Sequence, residues 1–275
     1  MVVHPAIQPT LCVIGFPVAG NAMQFALERV LVEAGLDWKF VSFNVSPDSF
    51  DEAVRGVKAL GLAGLAIASP FETQLSAHVE RFTTGCDGDG WIDFLQPVQG
   101  VWVGSNQLAR AVMQLARQAV PEPSQIYILG DGPQARGIAA YFSAHSLSCQ
   151  YSTAGRQEPA VAVAEGAGAI GESMSDADPL SMENIDPSVI VIRADAEDGK
   201  PCSLDSAEIE GCQTAGCCVE LALDPATQLP IAEHVVAVSA VDVLVQRFAN
   251  GFQDWTGLTA ETSTLREAVE EYYEL

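Results

Sequence analysis

By residue type and spacing, the stretch with the most chemical potential is Gly130, Asp131 and Gly132, followed by Gln134, Ala135 and Arg136. A Gly-x-Gly turn between a run of β-formers and a helix opens a dinucleotide-binding βαβ unit. Its glycines allow a sharp turn and close backbone approach, and the helix N-terminus attracts an anion. Here the run is residues 126–129 (IYIL), and helix-favouring sequence follows Pro133. Two details work against a nucleotide. Asp131 puts a carboxylate where a pyrophosphate would sit, and Pro133 supplies no N–H at the helix start. The same pattern also serves as a tight turn in α/β domains that hold no nucleotide, and the motif alone leaves both readings open. A second group is Cys202, Cys212, Cys217 and Cys218. Its spacing is not a zinc pattern and no histidine lies within it, so no metal site is expected.

These residues need elements to position them. Residues 11–16 (LCVIGF) read as a buried strand, and Asn21 as the N-cap of a helix whose stripe is Phe25, Leu27, Val30, Leu31 and Ala34. Residues 38–45 form a second strand. Ser49 with Glu52 offers a capping box for a helix with Phe50, Ala53, Val54, Val57 and Leu60 on one face. Residues 64–68 form a third strand. The βαβαβ alternation predicts an α/β fold with a parallel sheet and helices on both faces. Ligands of such sheets sit beyond the carboxyl ends of strands, which here singles out the loop Ser69, Pro70, Phe71, Glu72.

Composition narrows the function classes. The chain has 275 residues, enough for two ordinary domains, and a 48% hydrophobic content that implies a globular core. A net charge of −23 argues against nucleic acid or an anionic membrane as partner. No apolar run is long enough for a membrane span and the start lacks a signal-peptide pattern, so a soluble cytoplasmic protein, monomer or homodimer, is expected. The seven cysteines read as reduced thiols.

Four blocks in order resemble the shikimate dehydrogenase family. They are Val13-Ile14-Gly15-Phe16-Pro17, the Gly130–Arg136 loop, the segment from Glu220 to Pro225, and Trp255-Thr256-Gly257 closing a late helix. The likeness runs from about residue 11 to 257 and is poorest over 155–220. The resemblance implies an N-terminal α/β substrate-type domain (1–106, with 235–275 returning to it) and a Rossmann-like dinucleotide-binding domain (107–234). It also implies NADP as cofactor and shikimate oxidation as activity. A connecting helix over residues 108–120 would bury Leu108, Val112, Leu115 and Ala119.

At the family's functional positions the sequence departs. The substrate-binding serines fall on Asn21 and Met23, and the threonine of the strand–x–Pro loop falls on Ala68. The catalytic lysine is Glu72 and its aspartate partner is Leu108. An asparagine becomes Asp93, the late-helix glutamine becomes Arg247, and only Asn106 is retained. The clamp for a 2′-phosphate would be imitated by Ser152, Thr153 and Arg156. A lysine held by an aspartate moves the hydroxyl proton during hydride transfer. Leu108 cannot titrate, and Lys39, Lys58 and Lys200, the remaining lysines, lie outside the matching positions. Three readings follow: a family member that has lost shikimate oxidation and binds a ligand or partner, an oxidoreductase on another small polar or hydroxy-acid substrate, and a divergent but active shikimate or quinate dehydrogenase. Weak or absent NADP binding is expected, as is an ion pair between Arg247 and either Glu72 or Asp93.

Overall fold

The structure is a computed structural model that describes residues 8–86, 90–152, 185–195, 200–224 and 231–275. The chain forms two compact units. The first comprises Met1–Thr83, Ile92–Gln107 and Leu244–Leu275, and the second Thr84–Trp91 and Leu108–Val243.

The first unit is built on a six-stranded sheet of order β2-β1-β3-β5-β6-β4. Strands β1 (Thr10–Gly15), β2 (Lys39–Asn44) and β3 (Gly64–Ile67) are parallel and joined through helices α1 (Met23–Glu33) and α2 (Phe50–Ala59). Alternation along β1 splits its side chains between two faces. Cys12 and Ile14 join a core with Phe50, Val54, Leu65, Ile67, Phe71 and Trp102, while Leu11 and Val13 are equally buried on the other face. Phe50 stacks on Phe71 at 4.4 Å between ring centroids.

The sheet is mixed, where the sequence suggested a parallel one. β5 (Phe94–Val98) runs antiparallel to β3 and forms a hairpin with β6 (Val101–Ser105), and the short β4 (Arg81–Phe82) adds in parallel to β6. The hairpin turn is Gln99-Gly100, both residues at positive φ (52° and 84°), as two-residue hairpin turns require. It lacks the usual Asn-Gly or Asp-Gly signal, and Pro97 inside β5 further masks the strand.

Other local expectations shift. Asn21 accepts the Met23 N–H at 2.8 Å but lies one residue before the N-cap, Ala22. The capping box at Ser49 does not form, because that hydroxyl pairs with Ser46 (3.3 Å) around a 3-10 turn, Pro47–Ser49. Ala34 and Leu60 are exposed because each is the C-cap where its helix ends.

The second unit carries a five-stranded, fully parallel sheet of order β11-β10-β9-β7-β8. Its strands are β7 (Gln125–Leu129), β8 (Cys149–Ser152), β9 (Val189–Arg193), β10 (Cys217–Glu220) and β11 (Val236–Val238). The runs VIVIR and CCVE are buried throughout, as expected of strands covered on both faces. β11 pairs with β10 through Cys217↔Val236, so residues near 236 belong to this sheet rather than to the returning C-terminal part. Helix α3 (Gln107–Ala119) leads into this unit and α4 (Pro133–Ala144) follows β7. The buried apolar residues along α3 and just after it are Leu108, Ala109, Ala111, Val112, Ala116 and Val120, whereas Leu115 and Ala119 are only half-buried. Helix α5 (Ser206–Thr214) begins with a full capping box between Asp205 and Glu208. Among the described residues no helix is long and apolar enough to cross a membrane.

The C-terminal helices α6 (Ala240–Thr256) and α7 (Thr262–Tyr273) complete the first unit, α6 from Leu244 onward. Trp255 docks α6. Its Nε1–H donates to the Leu95 carbonyl at 3.0 Å and its ring stacks on Phe94 at 4.8 Å. Two glycines permit this approach: a Cβ on Gly64 would collide with the Trp255 ring, and one on Gly251 would collide with the Phe94 ring. α7 lies against α1, with Arg29 to Glu271 at 2.7 Å and Phe25 against Tyr272 at 5.9 Å.

Candidate functional site

The first sheet gathers the candidate substrate residues at one edge, the carboxyl end of β1, β3 and β6. β5 runs the opposite way, so its start lies at that same edge. The backbone register makes this explicit. Ile67 N–H donates to Asp93 O (2.8 Å), Asp93 N–H to Ser105 O (3.1 Å), and Phe16 N–H to Ser69 O (3.0 Å). Ile92 N–H donates to Glu72 O at 2.9 Å, which holds the Glu72 backbone beside Asp93. Glu72 is 7% exposed, Asp93 fully buried and Asn106 2% exposed. Charged side chains are rarely this buried unless partnered.

Arg247 reaches this edge from α6. Its Nε lies 2.9 Å from Asp93 Oδ2, although its N–H does not point along that line, so the contact is an ion pair by distance rather than an aligned hydrogen bond. An Nη2 hydrogen bond to Ile67 O (3.4 Å) and the face of Phe94, 5.6 Å from the guanidinium carbon, fix the fork. The expected pairing is thus made with Asp93. The other carboxylate oxygen of Asp93 accepts the Gln107 N–H at 2.7 Å. The Gln107 side chain donates onward to Asp254 Oδ2 (2.6 Å) and Ser105 Oγ (2.9 Å). Arg247 and Asp254 are seven residues apart on α6, two helical turns, and so share a face.

Asn21 and Met23 stand at the start of α1, after the carboxyl end of β1. The Met23 N–H is taken by Asn21 Oδ1, as noted above, and the Tyr273 hydroxyl donates to Gly20 O at 3.0 Å. Burial pushes the Tyr273 phenol up, while the Ala22 N–H and the charge of Arg247 pull it back. The Tyr273–Gly20 hydrogen bond places α7's last turn at the same loop. Ala68, half-buried, donates its N–H to Ile14 O at 2.8 Å.

In the second unit the Gly-x-Gly turn joins β7 to α4 as expected. Gly130 has φ 129°, and a Cβ there would meet the Asp195 and Ala194 carbonyl oxygens at 2.7 and 2.9 Å. Only glycine fits both constraints. The Gly132 N–H, however, is donated to Asp195 O at 3.0 Å. Pro133 brings no donor, and intrahelical bonding begins with the Arg136 N–H on Gly132 O. Arg136 turns its Nη1 to the Asp131 carbonyl at 2.5 Å, and Gln134 accepts the Asp195 N–H at 3.3 Å. Ala135 is buried in the first turn. Ser152 ends β8, while Thr153 and Arg156 lie outside the described residues.

Two other clusters are satisfied internally. A cavity of about 460 Å³ on the first unit is lined by Asp51, Arg55, Lys58, Ala77, His78, Val79 and Glu80. It shares no residue with the sheet edge. Its charges meet one another (His78–Asp51 at 2.7 Å, Lys58–Glu80 at 3.1 Å) or a neighbour (Arg55–Glu52 at 2.9 Å), so its volume alone does not make it the functional site. None of the seven cysteines is in a disulfide, and all are buried. Burial pushes Cys12, Cys149 and Cys217 up to about 12 and Cys202 to about 11. Cys218 is raised first by its hydrogen bond with Cys212. Among the described residues no three His, Cys, Asp or Glu side chains form a metal-holding group.

Residues 13–87 match the shikimate dehydrogenase substrate binding domain. Over 92% of this chain and 96% of the relative, 23% of residues are identical to the shikimate dehydrogenase (NADP(+)) of Desulfitobacterium hafniense strain Y51. The chain is thus similar to shikimate dehydrogenases over nearly its whole length, with the substrate-domain match confined to residues 13–87. Its fold follows the family's along the whole length. Shikimate 5-dehydrogenase of Thermus thermophilus, solved in complex with shikimate, superposes with a TM-score of 0.73 at 16% identity, covering 98% of this chain and all of that one. The ligand-free 5-ketofructose reductase of Gluconobacter sp. strain CHM43 superposes with a TM-score of 0.76 at 17% identity, covering 97% and 99%.

Of the residues singled out from sequence, Glu72, Asp93, Asn106 and Arg247 come together at the edge of the first sheet, with Asn21 on the loop after β1 and Met23 the first residue of α1. Leu108, buried at the start of α3, belongs to the second unit. Gln107, Asp254 and Tyr273 were not legible as site residues. The seven-residue spacing of Arg247 and Asp254 was a usable signal, whereas nothing in the sequence ties Tyr273 to Gly20.

Proposed function

We propose that this family member has lost shikimate:NADP oxidoreductase activity and uses the edge of its first sheet to bind a small polar ligand. One observation carries this reading. The positions at which the family resemblance implies a lysine–aspartate acid–base pair hold a buried carboxylate, Glu72, and a buried aliphatic side chain, Leu108. Oxidising an alcohol to a ketone leaves a hydroxyl proton that a positioned base must take, a contribution of about 10²–10⁴-fold. Leu108 can neither take the proton nor orient a base. Glu72 could accept one, but it would face an anionic substrate with Asp93 close by, and like charges oppose one another there.

NADP is the cofactor named for the D. hafniense relative, and it fits this chain poorly. Asp131 offers a carboxylate to a pyrophosphate, the Gly132 N–H is committed to Asp195, and Pro133 has none. Seven buried cysteines, none in a disulfide, suit a reducing, cytoplasmic setting. A second reading, an oxidoreductase acting on a different small hydroxy compound, is favoured by the whole-length likeness to a protein named 5-ketofructose reductase. A thermal-shift screen with NADP, NAD, shikimate, quinate and a metabolite panel tests the proposal, because a ligand of the folded state raises the midpoint by mass action. The proposal expects a shift from a polar metabolite and none from NADP or shikimate. Shifts from both NADP and shikimate would overturn it.

A further inference from the structure

We infer that the second unit closes its own dinucleotide crevice with the backbone that follows β9, and that Arg193 positions this closure. β7 has β8 on one side and β9 on the other, so the strand order reverses between β7 and β9. In open α/β sheets that reversal is where a dinucleotide binds, its pyrophosphate on the amides of the glycine turn and the helix start. Here Ala194 and Asp195 lie across that turn. The Gly132 N–H donates to Asp195 O at 3.0 Å, and the Asp195 N–H donates to Gln134 Oε1 at 3.3 Å. A Cβ on Gly130 would lie 2.7 and 2.9 Å from the Asp195 and Ala194 carbonyl oxygens. The glycine that marks the motif is thus required by the chain's own carbonyls, whose acceptor oxygens oppose an anion there.

Arg193, the last residue of β9, holds the return of the same segment. Asp195 bridges Pro201, and the Cys202 N–H donates to Ala194 O at 3.3 Å, so residues 201–202 run back antiparallel beside residues 194–195. The Arg193 Nε and Nη2 both donate to Cys202 O, at 2.9 and 2.8 Å, and Nη1 donates to Glu220 Oε2 at 2.9 Å. The other Glu220 oxygen accepts the Ala222 N–H at 2.9 Å, which ties the fork to the end of β10. The two side chains are 8% and 7% exposed, where charge-assisted bonds are strong. This closure shares with the reading above only that NADP fits poorly. Asp131 and Pro133 act within the turn, whereas the closure comes from a separate segment, so repairing the turn alone does not admit a nucleotide.

The test is calorimetry with NADP, NAD and inorganic diphosphate on the full chain, paired with hydrogen exchange at the Gly132 amide. Wild type is compared with Asp131→Ala plus Pro133→Gly, a repaired turn that loses the carboxylate and gains a donor. The repaired turn is then combined with Gln134→Ala or with Arg193→Lys. Lysine keeps the charge facing Glu220 but lacks the planar fork that reaches Cys202 O. Wild type and the repaired turn should bind none of the probes, and both should protect the Gly132 amide. Either added substitution should speed exchange at Gly132 by roughly three- to tenfold, the change for one lost hydrogen bond, and at least one should bring saturable diphosphate binding. Should Arg193→Lys fail to fold, the Gln134→Ala protein decides. Binding of any probe to wild type or to the repaired turn, no binding to either combined variant, or unchanged Gly132 exchange in both would overturn the inference. NADP binding to wild type would still leave the loss of shikimate oxidation standing, because that loss rests on Glu72 and Leu108 and is read separately, by turnover.

Discussion

Replacing Arg247 with glutamine isolates the most heavily buried charge in the site. Asp93 is fully buried and the Arg247 side chain is 12% exposed, so this pair belongs with buried rather than surface ion pairs. Removing one partner of a buried pair leaves an uncompensated charge and costs about 3–5 kcal/mol, against about 0–1 kcal/mol for an exposed pair. Two features set the expectation near the lower end. Asp93 keeps the Gln107 N–H at 2.7 Å, and the Nε–H of Arg247 is not aimed at the carboxylate. A loss of about 3 kcal/mol corresponds to a fall in melting temperature of roughly 6–12 °C for a domain of this size. Trp38, Trp102 and Trp255, three of the four tryptophans, lie in the first unit, so fluorescence-detected melting reports on it. Asp93→Asn in the Arg247→Gln background should recover part of the loss, giving a coupling of about 0.5–3 kcal/mol. A drop below about 1 kcal/mol for Arg247→Gln, with no coupling to Asp93, would refute the assignment of a buried pair.

Further outcomes follow from other parts of the structure. Calorimetry should detect no NADP binding at micromolar concentrations; a micromolar dissociation constant would refute the account of Asp131, Gly132 and Pro133. Gly251→Ala drives a Cβ into the Phe94 ring and should destabilise by about 1–3 kcal/mol despite the better helix propensity of alanine, and an unchanged or raised melting temperature would contradict the packing. The thiols should resist an aromatic disulfide reagent at pH 8 until the chain is unfolded, because four of them titrate only at about 11–12; rapid labelling of any native cysteine would contradict their burial. The same shifts set an alkaline limit. The folded state keeps protons that the unfolded chain releases above pH 9, so this contribution to stability is complete below pH 9 and declines as pH rises towards 12. Stability measured from pH 8 to 11 should fall, and a rise would reverse the sign.

Strands β1, β2, β3 and β7 were legible because their apolar runs are short, bounded by turn residues and followed by helical stripes, whereas β9 and β10 fall where the family likeness is poorest and were not read as strands. The hairpin of β5 and β6 was hidden by Pro97 and a Gln99-Gly100 turn without a strong signal. Register between strands depends on pairing across many residues, so nothing local in the sequence around residue 236 announced that it would join β10. The site was legible wherever a family block fixed the position, as at Glu72, Asp93 and Arg247. It was not legible where contacts are made across distant segments: Tyr273 reaches Gly20 over 253 residues, and Gln107 reaches Asp254 over 147. Capping was misread at Ser49 because a neighbouring hydroxyl, Ser46, competes for its side chain.

The most direct test of the central claim is the steady-state rate of shikimate oxidation with NADP and with NAD, measured beside an active family member under the same conditions. With Glu72 and Leu108 in place of an acid–base pair, no turnover should be detectable. A rate within about 10²-fold of the active relative, the smallest loss expected when acid–base catalysis is missing, would contradict it.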